Sequence, residues 1–174
     1  MPDTPKERLF FALFPPPEIR DQIVKLTRPL IQPNTGIELQ ATDLHITLIF
    51  IGETETQHKS CITQIADGIR ATPFTLTLET LGYWEKPRIL WLAPQPSPDL
   101  HQLVNQLTQQ LSTCGYQAEL RPYQAHISLL RKASPLTTYP PIPPLAWTVD
   151  AFCLARSIPH SQENRYEIIQ RWLF

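Results

Sequence analysis

The sequence predicts an α+β protein built as two similar lobes that face each other. Three observations predict it. Short β-prone runs and amphipathic helical stretches are mixed along the chain, with pairs of strands separated by single helices. One phrase is written twice, 81 residues apart: His45-Ile-Thr-Leu-Ile-Phe50 and His126-Ile-Ser-Leu-Leu-Arg131. The order strand–helix–strand, then helix–strand, recurs around the two phrases, and no linker is long enough to make the halves independent. With 174 residues the chain suits one unit spanning 1–174 with an internal twofold repeat.

The elements follow in order. Arg8–Phe14 is a short apolar run closed by three prolines, which suits a buried strand. Pro16 or Pro17 opens a helix in which Ile19, Ile23, Leu26 and Leu30 recur at helical spacing. Pro33–Gly36 is a turn. The strand that starts at His45 ends at Gly52, and a helix from about Thr54 to Ile69 buries Cys61, Ile62, Ile65 and Ile69. Phe74–Glu79 and Ile89–Ala93 alternate as half-exposed strands. Ser97-Pro98-Asp99 starts a helix whose stripe is Leu100, Leu103, Val104, Leu107 and Leu111, stopped at Gly115. The strand His126–Leu130 follows. Pro135–Pro144 is too rich in proline for a helix interior or a central strand, so an extended surface loop is expected. Strands near Trp147–Leu154 and Tyr166–Trp172 close the chain.

Composition excludes several classes. A net charge of −1 gives no broad basic face for tracking a long nucleic acid, although a partner with one or two phosphates fits. The longest apolar runs, such as Leu9–Phe14 and Ile46–Ile51, are too short to cross a bilayer. The opening residues, Met-Pro-Asp-Thr-Pro-Lys-Glu, lack the cationic and apolar order of a secretory leader. Cys61, Cys114 and Cys153 form no Cys-x-x-Cys pair, so free thiols in a reducing cytoplasm are expected rather than a disulfide framework or a zinc knuckle.

The repeated phrase carries the chemistry. Composition would place this pattern after roughly one histidine in a hundred, yet two of the five histidines carry it. Side chains alternate along a strand, so His45 shares a face with Thr47, and His126 with Ser128, while Ile46, Leu48, Ile127 and Leu129 pack the other face. Two imidazoles and two hydroxyls then surround one small volume. One imidazole can accept a proton while the other donates one. The hydroxyls can hold phosphate oxygens without adding negative charge. Neither phrase holds Asp, Glu, Cys or a second His at ligand spacing, so no metal and no cofactor are expected. His58, His101 and His160 read as solvated, and Lys86, Arg88, Arg121, Lys132 and Arg156 receive no role.

With both phrases and their flanks the sequence resembles the two-histidine phosphoesterases, and within them the bacterial and archaeal RNA 2′,3′-cyclic phosphodiesterases, once called 2′-5′ RNA ligases. Arg8-Leu-Phe-Phe-Ala-Leu-Phe-Pro-Pro resembles the family's opening strand, and His45–Gly52 and Arg121–Lys132 its two motifs. Leu154–Ser157 and Arg165–Ile169 resemble its closing strands. The resemblance implies a mostly antiparallel, bilobed fold with helices outside and a central cleft that takes one His-x-Thr/Ser motif from each lobe. It implies hydrolysis of a terminal RNA 2′,3′-cyclic phosphate to a 2′-phosphomonoester, with His45 as proton donor and His126 as proton acceptor. Thr47 and Ser128 would hold the phosphate; Ser128 stands where threonine is commoner. Phe50 and Arg131, each five residues after a histidine, are implied as substrate residues. Strict alternation places them off the histidine face unless the strand ends or bulges before them. The implied partner is an RNA 3′ end or short oligonucleotide carrying the cyclic phosphate, met by a monomer in the cytoplasm. Small cyclic-phosphate nucleotides or 2′-5′ oligonucleotides are alternative substrates, and a non-catalytic nucleotide-phosphate-binding protein is the alternative of another class.

Overall fold

Strand β1 (Lys6–Leu13) sets the two faces of the molecule. Leu9, Phe11 and Leu13 point to a main core that the helices cover, while Phe10 and Ala12 join Phe14, Ala155 and Tyr166 in a small cluster on the opposite face. The histidines lie on that second face. The computed structural model describes residues 5–160 and 165–174. Four of the seven residues read for a leader, residues 1–4, lie outside them.

The other strands are β2 (Ile37–Glu38), β3 (Ile46–Glu55), β4 (Phe74–Trp84), β5 (Ile89–Pro94), β6 (Ile127–Arg131), β7 (Leu145–Val149), β8 (Ala151–Ser157) and β9 (Tyr166–Leu173). They form one antiparallel sheet in the order β7-β4-β5-β6-β3-β1-β8-β9, with β2 added beside β6. The order divides into two halves of four strands. Each half carries one histidine phrase on its innermost strand. The halves join at a single residue pair, Ile46 with Ile127. Beyond it β6 pairs with β2 instead, and the Leu39 amide donates to the Leu129 carbonyl at 3.0 Å. The two motif strands therefore splay after one pair, and the splay opens the cleft.

The helices are α1 (Pro17–Ile31), α2 (Thr56–Asp67) and α3 (Pro98–Leu111). The α3 stripe Leu100–Leu111 is buried as expected, whereas α1 buries Ile23 with Thr27 and Ile31, and α2 buries Ile62 with Ala66. Ile19, Leu26, Leu30, Cys61 and Ile65 are only half-buried. The Ser97 hydroxyl accepts the Leu100 amide at 3.2 Å, and Gly115 stops the following turn with a φ of 82°, the left-handed stop that glycine allows.

Several element ends shift by one or two residues, including the starts of β3 and β6, which begin just after His45 and His126. Beyond these, three differences from expectation stand out. β3 does not end at Gly52, whose φ of 90° sits in an irregular stretch of a strand that continues to Glu55. β4 runs past Glu79 to Trp84. The strand expected over Trp147–Leu154 is two strands, β7 and β8, separated by Asp150 alone and belonging to opposite halves of the sheet. A one-residue connection between them means that the sheet curls until its two halves approach. Trp147, Val149, Ala151 and Cys153 keep a two-residue alternation of apolar residues across Asp150, so periodicity cannot see this break.

Cysteine is the clearest correction. Cys61 on α2 and Cys114 in the turn after α3 form a disulfide, with Cα atoms 5.9 Å apart. Only Cys153 is a free thiol, and it is buried. Two helices packed side by side bring the pair together across 53 residues, a spacing that carries no motif. Among the described residues no helix is long and apolar enough to cross a membrane.

Candidate active site

The antiparallel pair Ile46–Ile127 fixes the geometry of everything around it. Counting outward from it, His45 lies across from Ser128, and Thr47 across from His126. Both isoleucines point into the core at zero exposure, so both imidazoles and both hydroxyls take the other face. The result is a two-by-two arrangement, with a local twofold axis through the isoleucine pair.

Each imidazole is held in the same way. His45 Nδ1 lies 2.7 Å from the carbonyl oxygen of Asp43, and His126 Nδ1 lies 2.9 Å from that of Gln124. A carbonyl oxygen only accepts, so Nδ1 carries the hydrogen in both rings. Nε2 is therefore left as the nitrogen that exchanges a proton. At His45 it sits 3.1 Å from the Thr47 hydroxyl. A neutral His45 accepts that hydroxyl's hydrogen; a charged one donates.

The surroundings of the two rings differ. His45 is enclosed by aromatic rings: Phe10 at 5.2 Å, Phe14 stacked at 5.3 Å and Tyr166 edge-on at 4.8 Å between centroids. His126 meets one ring, Trp84, edge-on at 4.4 Å. Burial lowers the His45 imidazole from its ordinary 6.5 to about 4; the Asp43 carbonyl opposes the shift, and the charges of Arg131 and His126 add to it. Burial also lowers His126, against the support of the Gln124 carbonyl. In the free protein both imidazoles are thus neutral at pH 7.

Phe50 and Arg131 reach the same cleft because both motif strands bulge. In β3, Thr47 pairs with Ala12 while Ile49 pairs with the next residue back, Phe11, so Leu48 is the extra residue. In β6, Ser128 pairs with Trp91 while Leu130 pairs with Leu90, so Leu129 is the extra residue. Each bulge puts two consecutive buried residues on the core side, Leu48-Ile49 and Leu129-Leu130, and reverses the parity beyond. The paired apolar residues in each phrase were the sequence signal for it. One cavity of about 930 Å³ consequently takes His45, Thr47, Phe50, Ser128 and Arg131 in its wall. His126 stands beside that wall rather than in it, leaning on Trp84.

Several residues of the site escaped sequence reasoning. Tyr166 accepts a hydrogen bond from Arg131 Nη2, and Arg131 Nε is buried with no partner among the described residues. The buried Asp43 carboxylate accepts the Arg165 amide at 3.1 Å; burial raises its pKa, and that amide and the Arg165 charge oppose the rise. Asp43 thus ties the start of β9 to the strand that positions His45. Tyr123 donates to the Thr47 carbonyl at 2.9 Å. On the other lobe Trp84 rests on Trp91, 5.5 Å between centroids, and Trp91 lies flat over Gly82. A methyl group on Gly82 would fall 2.2–2.7 Å from that ring, so only glycine leaves the two tryptophans room behind His126.

Of the cations set aside in the sequence, Arg156 lines the cavity but is spent on carboxylates. Its Nη1 lies 2.6 Å from Glu7, its Nε 2.7 Å from Glu167, and Lys59 adds a contact of 2.7 Å to Glu7. Those two partners hold the Glu7 carboxyl below its ordinary pKa, the Lys59 hydrogen bond first. Arg121 pairs with Glu119 in solvent, and Arg88 donates to the Ala133 and Lys132 carbonyls. His58, His101 and His160 are exposed; His101 touches Tyr123, and His160 lies at the cavity margin.

A split antiparallel sheet with one His-x-Ser/Thr strand from each half defines a two-histidine phosphoesterase cleft. Comparison with known proteins gives the particular family. The family model of the 2′-5′ RNA ligase superfamily matches residues 15–159, and the chain belongs to that superfamily. It is 38% identical over 169 residues to the RNA 2′,3′-cyclic phosphodiesterase of Escherichia coli strain K12, covering 95% of this chain and 96% of the relative. The enzyme of the same name from Thermus thermophilus is 26% identical over 178 residues, covering 95% and 89%. Among solved structures, Escherichia coli LigT complexed with 3′-AMP superposes with a TM-score of 0.89 at 37% identity, over 98% of this chain and 99% of that one.

Proposed function

We propose that this chain hydrolyses the 2′,3′-cyclic phosphate at an RNA 3′ end to a 2′-phosphomonoester. The observation that carries the proposal is the duplicated imidazole: two rings, each fixed through Nδ1 on a carbonyl oxygen, each keeping Nε2 for proton transfer. Water attacks phosphorus and passes its proton to Nε2 of neutral His126. The bond from phosphorus to the 3′-oxygen breaks, and that oxygen takes the proton from Nε2 of charged His45. Thr47 and Ser128 donate to the non-bridging oxygens, Arg131 offsets their charge, and Phe50, 40% exposed at the cleft, stacks on the base. The names of the relatives over nearly the whole chain support the substrate class.

With both imidazoles neutral in the free protein this cycle cannot run, so the substrate must charge His45. A phosphodiester beside Arg131 does so in principle: its anion offsets the repulsion that Arg131 exerts on the imidazolium and favours the charged ring.

Protons and hydrogen bonds supply all of this chemistry, so activity should persist in excess chelator. Incubation of the chelated protein with an oligonucleotide ending in a 2′,3′-cyclic phosphate should yield the 2′-phosphate isomer. A 3′-phosphate product, or turnover that returns only with a divalent ion, would refute the mechanism. The reading also carries a monomer at work in the cytoplasm. Against that compartment stands the Cys61–Cys114 bridge, since cytosolic thiols are kept reduced. Alkylation of the protein inside cells, before lysis, should find both thiols free if the cytoplasmic reading is right.

A further inference from the structure

The cavity continues past His45 along β1, and its charge is uneven. Small-ligand sites run from about 300 to 1,000 Å³, and this one, at about 930 Å³, lies at the upper end of that range and extends from His45 to the far end of β1. On the cleft face of β1, Phe10 lies against His45, and Arg8 and Lys6 follow at two-residue steps. Same-face side chains on a strand are roughly 6.6 Å apart, close enough for two long cationic side chains to converge on one phosphate. The Arg8 guanidinium sits 4.9 Å over the Phe50 ring, while Arg156 is held by Glu7 and Glu167. The corresponding inner strand of the other half, β5, is Ile-Leu-Trp-Leu-Ala-Pro and has no charge.

The reaction geometry says which half should hold the polynucleotide. In an in-line displacement the leaving 3′-oxygen and the attacking water lie on opposite sides of phosphorus. The ribose that owns the leaving oxygen belongs beside the acid, His45, and the water beside His126. The chain leading away from that ribose then runs along the half that contains β1.

Resting on the proposed function, we infer that Arg8 and Lys6 form a second subsite, which binds the phosphate joining the last two nucleotides of the RNA. The substrate is then an oligonucleotide end rather than a cyclic mononucleotide. Glu53 and Glu55 stand across the ladder from Arg8 and Lys6, Glu53 also in the cavity wall, and they limit the positive charge there to a short stretch.

The test compares a 2′,3′-cyclic mononucleotide with a dinucleotide ending in the same group. In the wild type kcat/KM should favour the dinucleotide at least roughly tenfold, within the range of one stacked base and its phosphate. The logarithmic salt dependence should be steeper by about 0.7 per added phosphate contact. Arg8→Ala and Lys6→Ala should each pull the dinucleotide-to-mononucleotide ratio toward one, and Arg8→Lys should keep part of it. Equal rates on both substrates in the wild type, or a ratio unaffected by the two alanine variants, would overturn the subsite. Absence of turnover on every cyclic phosphate would instead sink the proposed function. The subsite is then judged by fluorescence titration with a 3′-phosphorylated dinucleotide against the mononucleotide: preference lost in Arg8→Ala sustains it, and equal affinity ends it.

Discussion

His45→Ala and His126→Ala should each lower turnover by at least roughly 10²-fold, the scale of a positioned acid or base, and leave the fold intact. The separation of roles within each strand leads to this expectation. Ile46 and Ile127, the residues that pair the two halves of the sheet, are fully buried on the core side. The imidazoles stand on the opposite face and contribute one bond each to a neighbouring carbonyl. Removing His45 empties a box of three rings, so a loss of stability of about 1 kcal/mol is expected there, as for an ordinary point mutant. Because the proposed mechanism uses both groups in one displacement, the double variant should be little slower than the worse single variant. Thermal melts and turnover measured together decide the matter. Unfolded variants would return the histidines to a packing role, and folded variants with near-native turnover would remove them from the chemistry.

Much of this site was written in the chain at short range. The pairing of imidazole with hydroxyl two residues on needs only the alternation of a strand, and the duplication of the phrase announces the two halves. Phe50 and Arg131 show where such reasoning stops. Alternation turned them away from the cleft, and one bulged residue in each strand, Leu48 or Leu129, turns them back. The paired apolar residues that mark the bulges are visible in the sequence, but a strand buried on both faces would read the same. Tyr166 and Trp84 come to the histidines from distant strands, and nothing in their local sequence points there. Asp43 is two residues from His45, but its tie to Arg165 spans 122 residues. The Cys61–Cys114 bridge was hidden for the same reason, since it depends on how two helices pack. Lys6 and Arg8 are an intermediate case. Their two-residue step toward Phe10 is legible, but it means little until β1 is known to border the cleft.

The pH dependence should differ between the free protein and its complex. The profile of kcat/KM reports the free enzyme, and that of kcat the complex. Each should be a bell: the rate falls toward acid as the base, His126, becomes protonated, and toward alkali as the acid, His45, loses its proton. In the free protein burial lowers both imidazoles, His45 to about 4, so the kcat/KM bell should centre below the ordinary histidine value of about 6.5. In the complex the phosphodiester's negative charge lies among His45, His126 and Arg131 and favours both imidazolium forms. The kcat bell should therefore lie on the alkaline side of the kcat/KM bell, its limbs belonging to the coupled pair. The leaving group then separates the two roles. A diester with a strongly activated leaving group needs little help from the acid, so its alkaline limb in kcat should flatten. That same substrate should rescue His45→Ala far more than His126→Ala, because the attacking water still needs a base. Coincident bells would deny the substrate its part in charging His45. Equal rescue of both variants, or rescue of His126→Ala alone, would exchange or abolish the assigned roles.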